Sequence, residues 1–434
     1  MADTRWGLPQ LRAWQQEALR EWSAAGHRGI VEAATGTGKT VLALAAMDSL
    51  VSTRLRTVIV VPQVGLLEQW MSVLRFELGV PASRIGTIGG RAPRFQLRED
   101  ILLCVLNSAR RSLPPIVKHW RESGNETLLI VDECHRSGSE SNAKIFTEPF
   151  DFTLGLSATP ERDDDGLEKF VFPGIGPVVA RYPLRRALDD GVLSAVRSYN
   201  VYFRLPAAEL YEYRKVDGQI ARMREAIEKR HVVLREGPEA LQIARAQNPA
   251  IKKDLRRLEN LQRKRRKVVA RSQMRANIMK ACVGQGWFAR RRTILFHESI
   301  EMAESSLGAL READIRAVID HSKLSPELRK SAFRKFGNGQ VDALVVVRTA
   351  DEGIDVPEAD MAILVSGTLT PRQRIQRFGR VLRPSAKEAV CISFLGRDTA
   401  EESVGHQDVQ LLGESRVESI VWEDETSLGS IIVE

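Results

Sequence analysis

Residues 31–40 read Val31-Glu32-Ala33-Ala34-Thr35-Gly36-Thr37-Gly38-Lys39-Thr40. The stretch lies between a short apolar run and a helical pattern of apolar residues, so it predicts a strand, a glycine-rich turn and the N-terminus of a helix. In such a turn, successive backbone N–H groups and the positive end of the helix dipole point at one anion. The stretch therefore predicts a phosphate-binding loop. The alternative is a glycine-containing turn before an ordinary core helix.

The side chains of this loop suit a nucleotide. Lys39 would reach the β- and γ-phosphates, and the Thr40 hydroxyl would hold Mg²⁺. The spacing is that of a Walker A loop, with Ala33 where its first glycine usually lies. The backbone around the phosphates would come from the residues just before the lysine, and its glycines allow close approach: Thr35, Gly36, Thr37 and Gly38. We therefore expect ATP and Mg²⁺ as cofactors.

The length and composition of the chain limit the classes of protein to which it can belong. A chain of 434 residues is too long for one core and predicts two domains. No stretch approaches ~20 continuous apolar residues, and the N-terminus lacks the regions of a signal peptide, so no membrane span is expected. The four cysteines are far apart and lack metal-ligand spacing, which indicates single thiols in a reducing compartment. We expect a soluble cytoplasmic protein.

Short apolar runs alternate with helical patterns in two parts of the chain, before 200 and after 290. The runs lack strict polar–apolar alternation, as do strands of a parallel sheet covered by helices. The sequence therefore predicts two α/β domains with parallel sheets, in residues 1–200 and 286–434. The predicted strands are Val58–Val61, Ile101–Val105, Leu128–Val131 and Phe152–Leu156, then Thr293–Phe296, Ile315–Ile319, Ala343–Val347, Met361–Val365 and Val390–Phe394.

Residues 205–285 differ from both of these parts. They are rich in charged residues, and their apolar residues have helical spacing. Ile251, Leu255, Leu258 and Leu261 form one narrow apolar stripe, which predicts a helical insertion between the domains in the form of an antiparallel hairpin. Residues 251–275 contain eleven Lys or Arg against two acidic residues, a net charge of +9 in a chain whose total is +8.

Such a concentration of charge attracts polyanions through counterion release, and nucleic acid is the commonest partner. The alternative is a solvated coiled coil whose charges only keep it soluble. The centre of the segment, called the basic strip below, is expected to contact nucleic acid through five side chains: Arg263, Lys264, Arg265, Arg266 and Lys267.

A second motif follows the predicted strand at 128–131. Asp132 and Glu133 come directly after it, so the strand delivers two adjacent carboxylates to the carboxyl edge of a parallel sheet, where such folds bind ligands. Asp132 can hold Mg²⁺ through its water shell, and Glu133 is placed to polarise the water that attacks the γ-phosphate. The alternative is a solvated acidic turn, which the buried strand and the phosphate-binding loop argue against.

Near the end of the chain, polar side chains recur at three- and four-residue intervals: Gln373, Gln376, Arg377, Arg380 and Arg383. On a helix they share one face, and arginines in that array suit the charge that develops on a transferring phosphoryl group. The alternative is an arginine-rich surface, which leaves unexplained the cost of about 1 kcal/mol for Gly379 inside the helix. We expect Gln376, Arg380 and Arg383 to be catalytic.

Taken in order, these motifs resemble those of the superfamily 2 helicases and translocases over nearly the whole chain. The resemblance implies two RecA-like domains in tandem with a thumb-like helical insertion, and ATP bound between the domains. Leu11-Arg12-Ala13-Trp14-Gln15 looks like the adenine-reading motif, which implies that Arg12 and Gln15 bind the nucleotide and favour ATP. Asp132-Glu133-Cys134-His135 matches the DExH form of motif II.

The same resemblance implies roles for residues that composition and spacing leave open. Arg380 and Arg383 of motif VI would be arginine fingers, and Gly353 and Asp355 of motif V would bind the nucleotide. His135, Ser157 and Thr159 would couple the nucleotide site to nucleic acid. The expected nucleic-acid contacts outside the insertion are Asn107, Ser108 and Thr349.

Within the superfamily, the sequence looks most like the XPB-type DNA translocases of repair and transcription. Arg162-Asp163-Asp164 lies where that group carries an Arg-Glu-Asp element, and the insertion lies where it has its thumb. Asp163 departs from the Glu of that element, so the three residues are equally consistent with a solvated turn. The sequence also predicts no damage-recognition domain before Leu8, which puts damage sensing by this chain alone in doubt.

We therefore expect a monomeric ATP-driven motor that moves on or remodels duplex DNA without sequence specificity, because phosphate contacts carry no base identity. The alternatives are a non-processive ATP-gated clamp on nucleic acid, an RNA helicase, a regulatory subunit whose ATP site only gates a partner, and the motor subunit of a restriction or defence complex. In the last case a protein partner would supply the nuclease, since no nuclease motif is visible.

Overall fold

A computed structural model describes residues 8–50, 54–90, 95–162, 164–230, 249–347, 359–366, 374, 378, 388–431 and 433. The chain divides into two compact units, the first running to Leu193 and the second beginning at Ser194. Each unit contains one seven-stranded sheet in its described part, and its paired strands run parallel. The predicted pair of α/β domains with parallel sheets is confirmed.

The sheet of the first unit has the strand order β3-β4-β2-β5-β6-β1-β7. Its strands are β1 (Arg28–Ala33), β2 (Leu55–Val61), β3 (Ile85–Ile88), β4 (Ile101–Val105), β5 (Glu126–Asp132), β6 (Phe152–Ser157) and β7 (Val178–Tyr182). The helices are α1 (Ala13–Ala24), α2 (Lys39–Ser49), α3 (Val64–Ser72), α4 (Leu106–Glu122), α5 (Phe172–Ile175) and α6 (Leu184–Asp189). The central strands are buried along their length, which explains why they lack polar alternation.

This strand order places the loops with polar motifs at one edge of the sheet. Because the strands are parallel, the loops after β1, β4, β5 and β6 all emerge at the carboxyl edge. β5 pairs with both β2 and β6, and β6 pairs with β1. The glycine-rich loop and the acidic motif are therefore two strands apart, close enough to contribute to one site.

The sheet of the second unit has the strand order β10-β11-β9-β12-β13-β8-β14. Its strands are β8 (Val196–Phe203), β9 (Thr293–His297), β10 (Ala317–Asp320), β11 (Ala343–Val347), β12 (Met361–Leu364), β13 (Ala389–Gly396) and β14 (Val417–Val421). The helices are α7 (Ala207–Arg230), α8 (Pro249–Ala270), α9 (Gln273–Gly284), α10 (Trp287–Arg290), α11 (Ile300–Glu312), α12 (Pro326–Gly337) and α13 (Glu402–Leu412).

The boundary between the domains differs from the sequence-based one at 200. Strand β8 lies between β13 and β14 in the second sheet, with Val196 opposite Ala389. The sequence analysis assigned it to the first domain because it precedes the helical insertion in the chain. It belongs to the second unit because it is hydrogen-bonded to a strand 193 positions later, with Val196 paired to Ala389, and sequence order does not reveal that pairing.

Helices α7 and α8 form the antiparallel hairpin expected in the insertion. Glu209, near the start of α7, accepts a hydrogen bond from the backbone N–H of Gln273, whereas Asp217 further along pairs with Arg265. Residues further along α7 therefore pair with residues earlier in the returning segment, so the two helices run antiparallel. The base of the hairpin packs into the core of the second unit through Tyr213 and Val269.

The last part of the 205–285 segment is not part of the hairpin. In α9, Ile278, Met279 and Cys282 are buried in the main core of the second unit together with residues of its strands. The insertion is therefore shorter than the sequence boundaries. Across the described residues, no helix combines the length and apolar character needed to cross a membrane.

A buried ion pair joins Arg374 to Asp408 in α13. The guanidinium of Arg374 donates to both carboxylate oxygens of Asp408 in α13, with 2.5 Å between Nε and Oδ1, and to the Ser393 hydroxyl at 2.9 Å. Both charged side chains are almost inaccessible to water, and Phe378, four positions after Arg374, is also buried. Arg374 thus serves the packing of the second unit.

This pair makes a prediction about stability. Asp408→Asn would leave the Arg374 charge buried without its counter-ion, so we expect the free energy of unfolding to fall by about 3–5 kcal/mol. Replacing both partners with apolar residues (Arg374→Met with Asp408→Leu) should restore much of the loss. Denaturant unfolding of the two variants and the parent measures both effects. Parent-like stability of Asp408→Asn would contradict the importance of the pair.

Candidate functional site

The glycine-rich loop connects β1 to α2, and its backbone conformation favours glycine at two positions. Gly36 and Gly38 have φ values of 85° and 98°, in the left-handed region that side chains rarely adopt. A Cβ atom on Gly38 would lie 2.8 Å from the side-chain nitrogen of Gln15. The positive φ values at these two positions therefore favour glycine.

Lys39 opens α2 and its ammonium group lies over the loop. Nζ donates to the carbonyl oxygens of Ala33 at 2.9 Å and Ala34 at 3.2 Å, while the Thr37 hydroxyl donates to the Ala34 carbonyl at 2.7 Å. Burial lowers the pKa of Lys39, and the negative charges of Glu133 and Asp132 act against that shift. A phosphate group would supply the additional negative charge that this partly buried cation lacks.

Arg12 and Gln15 hold the loop from α1. Arg12 donates through Nη1 to the carbonyl of Thr37 at 3.1 Å, and the Gln15 amide donates to the carbonyl of Gly38 at 3.0 Å. The amide oxygen of Gln15 accepts from the backbone N–H of Arg12 at 2.8 Å. Gln15 is 2% exposed, so its amide is used to clamp the loop, and the adenine contact expected of it stays a prediction.

The acidic motif begins at the last residue of β5. The two carboxylate oxygens of Asp132 each accept a hydrogen bond, from Trp70 Nε1 at 3.1 Å and from the Glu133 backbone N–H at 3.0 Å. Burial raises the pKa of Asp132, whereas the Trp70 hydrogen bond and the charge of Lys39 act to lower it. The charges of Lys39 and Asp132 each act on the pKa of the other group, which indicates that the glycine-rich loop and the acidic motif interact electrostatically.

Glu133 adopts a backbone conformation that costs energy. Its φ and ψ are both 50°, in the left-handed region, and the chain turns there into the short helical turn Cys134–Ser137. Such conformations in non-glycine residues are retained where the surrounding structure enforces them, often at functional sites. The Glu133 carboxylate lies 3.5 Å from Nδ1 of His135.

The three residues expected to couple the site to nucleic acid are in contact. Nδ1 of His135 lies 2.9 Å from the Ser157 hydroxyl at the end of β6, and that hydroxyl also accepts from the Thr159 backbone N–H at 3.2 Å. His135 is 1% exposed. The acidic motif and the loop after β6 are therefore connected through one hydroxyl group.

Arg162 makes a second connection from the same loop. Its guanidinium donates to the backbone carbonyl of His135 and to both carboxylate oxygens of Asp164, at 2.6 and 2.7 Å. The side chain is 17% exposed, so the solvated-turn interpretation does not hold for it. The contact with motif II was not predicted because it joins residues 27 positions apart.

The expected nucleic-acid contacts fall into two groups. Asn107 and Ser108 lie at the start of α4, directly after β4, and Asn107 is exposed at the same sheet edge as the loop. The basic strip lies on α8 in the second unit. Two of its members form ion pairs within the hairpin, Lys264 with Glu212 at 2.9 Å and Arg265 with Asp217. Lys264 is nevertheless exposed, as are the other three members: Arg263, Arg266 and Lys267.

The remaining predicted residues lie outside the described residues: Thr349, Gly353, Asp355, Gln376, Arg380 and Arg383, together with Asp163. The first unit alone thus brings together Arg12, Gln15, the loop and the acidic motif. Thr35 and Thr40 are partly exposed on that loop and on α2. Sequence analysis also missed Trp70, whose indole N–H donates to Asp132.

The donor set fits a magnesium ion that arrives with a nucleotide. No group of three His, Cys, Asp or Glu side chains capable of holding a metal occurs among the residues that the structure describes. Mg²⁺ is usually held by one or two carboxylates together with substrate phosphates and water. Asp132 and Thr40 would therefore supply the protein's share of the ligands.

Comparison with known proteins agrees with this geometry. Residues 8–162 match the model of the type III restriction enzyme res subunit, and residues 286–385 match the helicase conserved C-terminal domain. The DNA 3'-5' translocase XPB2 of Sulfurisphaera tokodaii is 27% identical over 90% of this chain and 83% of its own length. The DNA 3'-5' helicase XPB of Mycobacterium tuberculosis is 26% identical over 98% of this chain and 67% of its own length.

A solved helicase structure shares the fold. The helicase domain of Pyrococcus furiosus Hef matches with a TM-score of 0.57 at 15% identity, covering 92% of this chain and 98% of that domain. The two matched domain models and the named relatives together support a superfamily 2 helicase of the XPB type. The fold is that of two RecA-like domains in tandem. It spans about half the length, 53% and 55%, of two further curated relatives, from Haloarcula marismortui and Halobacterium salinarum.

The geometry of the acidic motif makes a prediction about catalysis. Glu133→Gln removes the negative charge but keeps the size of the side chain, so ATP binding should stay nearly intact. Turnover should fall roughly 10²-fold or more, as expected when a positioned catalytic group is lost. ATP hydrolysis and equilibrium ATP binding measure the two effects. Glu140→Gln, at an exposed site nearby, is the control. Near-normal turnover in Glu133→Gln would exclude its catalytic role.

Proposed function

We propose that this chain is an ATP-dependent motor that moves on or remodels duplex DNA without sequence specificity. The observation that carries the proposal is the convergence of Lys39, Asp132 and Glu133 at one edge of the first sheet, connected to the loop after β6 through His135. The relatives named as DNA 3'-5' translocase and DNA 3'-5' helicase support duplex DNA as the track.

ATP and Mg²⁺ are the proposed cofactors. The glycine loop would surround the phosphates with backbone N–H groups, and Lys39 would leave the carbonyls of Ala33 and Ala34 to contact the β- and γ-phosphates. Mg²⁺, when bound, neutralises charge on the phosphates. Glu133 would orient and polarise the attacking water. Arg12, next to the loop, would contact the base or the phosphates.

The second domain is proposed to complete the reaction and to transmit it. The resemblance to superfamily 2 gives Arg380 and Arg383 the role of arginine fingers, with Gln376, Gly353 and Asp355 at the nucleotide. Hydrolysis that needs residues from both domains couples the chemistry to domain motion. The His135–Ser157–Thr159 contacts support a route from the γ-phosphate to a nucleic-acid surface formed by Asn107, Ser108 and Thr349.

One rival function has an observation in its favour. The model matched by the first domain is that of a restriction enzyme subunit, which supports a motor in a complex whose nuclease lies on another chain. The proposed track and motor activity are the same in both cases. We propose that the chain acts as a monomer on the DNA and works in the cytoplasm, where its four buried free cysteines would stay reduced.

Displacement of a third strand from a DNA triplex tests the proposal. ATP hydrolysis should rise with duplex DNA more than with single-stranded DNA or RNA, and the chain should displace the third strand only when it hydrolyses ATP. The Glu133→Gln variant is the control for passive displacement. Stimulated hydrolysis without displacement would instead indicate a clamp, and stimulation by RNA alone would indicate an RNA helicase.

Three exposed side chains of the basic strip, Arg263, Arg266 and Lys267, allow a prediction about DNA affinity. In the triple variant Arg263→Gln, Arg266→Gln, Lys267→Gln, each lost phosphate contact should make the slope of log affinity against log salt shallower by about 0.9 on duplex DNA. Affinity should fall alike for all sequences. Gln is a good helix former, so α8 should persist. DNA binding measured at several salt concentrations gives the slope.

The matched control removes the same charge from another exposed helix surface. Lys330, Arg334 and Lys335 all lie exposed on α12, and their replacement by Gln changes the net charge equally. A slope change confined to the α8 variant supports a phosphate-contacting strip. Equal slopes for the α8 variant and the parent would show that the strip is only a solvated surface. Hydrolysis without DNA should match the parent in both variants.

A further inference from the structure

Each carboxylate oxygen of Asp132 has a donor from the protein, and one of the two donors is a tryptophan. The indole N–H of Trp70 donates to Oδ2 at 3.1 Å, and the Glu133 backbone N–H donates to Oδ1 at 3.0 Å. A carboxylate accepts about four hydrogen bonds or metal contacts. Two directions of approach are therefore occupied, and the others are available to a metal ion or its water shell.

The fold explains how Trp70 reaches this carboxylate. Helix α3 follows β2, and β2 pairs with β5 so that Val60 lies opposite Val131, one residue before Asp132. The helix after β2 therefore starts beside the end of the strand that carries Asp132. Trp70 is 2% exposed, so its N–H is out of reach of bulk water and needs an acceptor inside the protein.

The chemistry of indole suits this position. Trp can only donate a hydrogen bond, so it favours the ionised carboxylate and cannot compete as a metal ligand. A lysine or arginine here would add a positive charge that repels a cation. A neutral donor fixes the carboxylate and leaves its charge for the metal. Burial works in the opposite direction, raising the pKa of Asp132, and the hydrogen bond from Trp70 opposes that effect.

We propose that Trp70 is a positioning residue for the magnesium ion of Mg–ATP. Its indole N–H holds Asp132 in one orientation, so that the ion meets a preformed carboxylate instead of one that must be ordered on binding. Hydrogen bonds of this kind, to the ligands of a metal, are typically worth 10–100-fold in metal affinity. The inference rests on the proposed ATPase function.

The competing explanation is that Trp70 only fills space in the core. A second tryptophan of the same domain allows the two to be separated. Trp120 in α4 is also 2% exposed, and within the described residues its indole nitrogen has no hydrogen-bond partner. Replacing either residue with Phe removes an N–H and part of a buried ring, but only Trp70→Phe removes a bond to Asp132.

The experiment measures binding of a fluorescent ATP analogue to the full chain while Mg²⁺ is titrated. For Trp70→Phe we expect unchanged analogue binding in EDTA and an increase of about 10-fold or more in the Mg²⁺ concentration at half-saturation. ATP turnover should recover at saturating Mg²⁺. Trp120→Phe should keep the parent's Mg²⁺ dependence, and denaturant unfolding should show both variants to be folded.

The outcomes separate this inference from the function on which it rests. A folded Trp70→Phe variant whose Mg²⁺ midpoint lies within twofold of the parent's, or equal shifts in both variants, would overturn the positioning role and leave the ATPase proposal intact. A parent chain whose analogue binding does not respond to Mg²⁺ would contradict the metal site itself, and both proposals would fail.

Discussion

The attraction of Lys39 for the carboxylates of Asp132 and Glu133 is the interaction on which the first domain's proposed chemistry depends. Burial lowers the pKa of Lys39, and the two carboxylates act against that shift. Such charges are retained in partly buried surroundings when they are paired or bind a ligand. Most contacts described around them serve to hold this group: Gln15 on the loop, Trp70 on Asp132, and Ser157 on His135.

Much of the fold could be predicted because its signals are local. The central strands are buried on both faces and form continuous apolar runs, and the glycine-rich loop follows one of them within a few residues. Lys39, Asp132 and Glu133 could be predicted for the same reason, since Lys39 begins the helix after the glycine-rich loop and the two carboxylates lie at the end of β5. Parallel pairing then brings the ends to one edge without further information from the sequence.

The contacts that could not be predicted join distant parts of the chain. Gln15 and Gly38 are 23 residues apart, and Trp70 and Asp132 are 62 apart. Strand β8 could not be assigned to its sheet because its partner β13 comes after the whole helical insertion. The contacts of the basic strip were also only partly predictable from sequence. Its charge was evident from sequence, but the pairing of Lys264 and Arg265 with acidic residues of α7 required the hairpin.

The most direct test of the account is ATP hydrolysis by the parent chain and by Lys39→Met, each with and without duplex DNA. Met keeps much of the length and apolar stem of lysine but removes the charge that the carboxylates and the phosphates share. The account predicts hydrolysis by the parent, faster hydrolysis with DNA, and loss of both in Lys39→Met. Parent-like hydrolysis by Lys39→Met, or a parent chain that does not hydrolyse ATP, would contradict it.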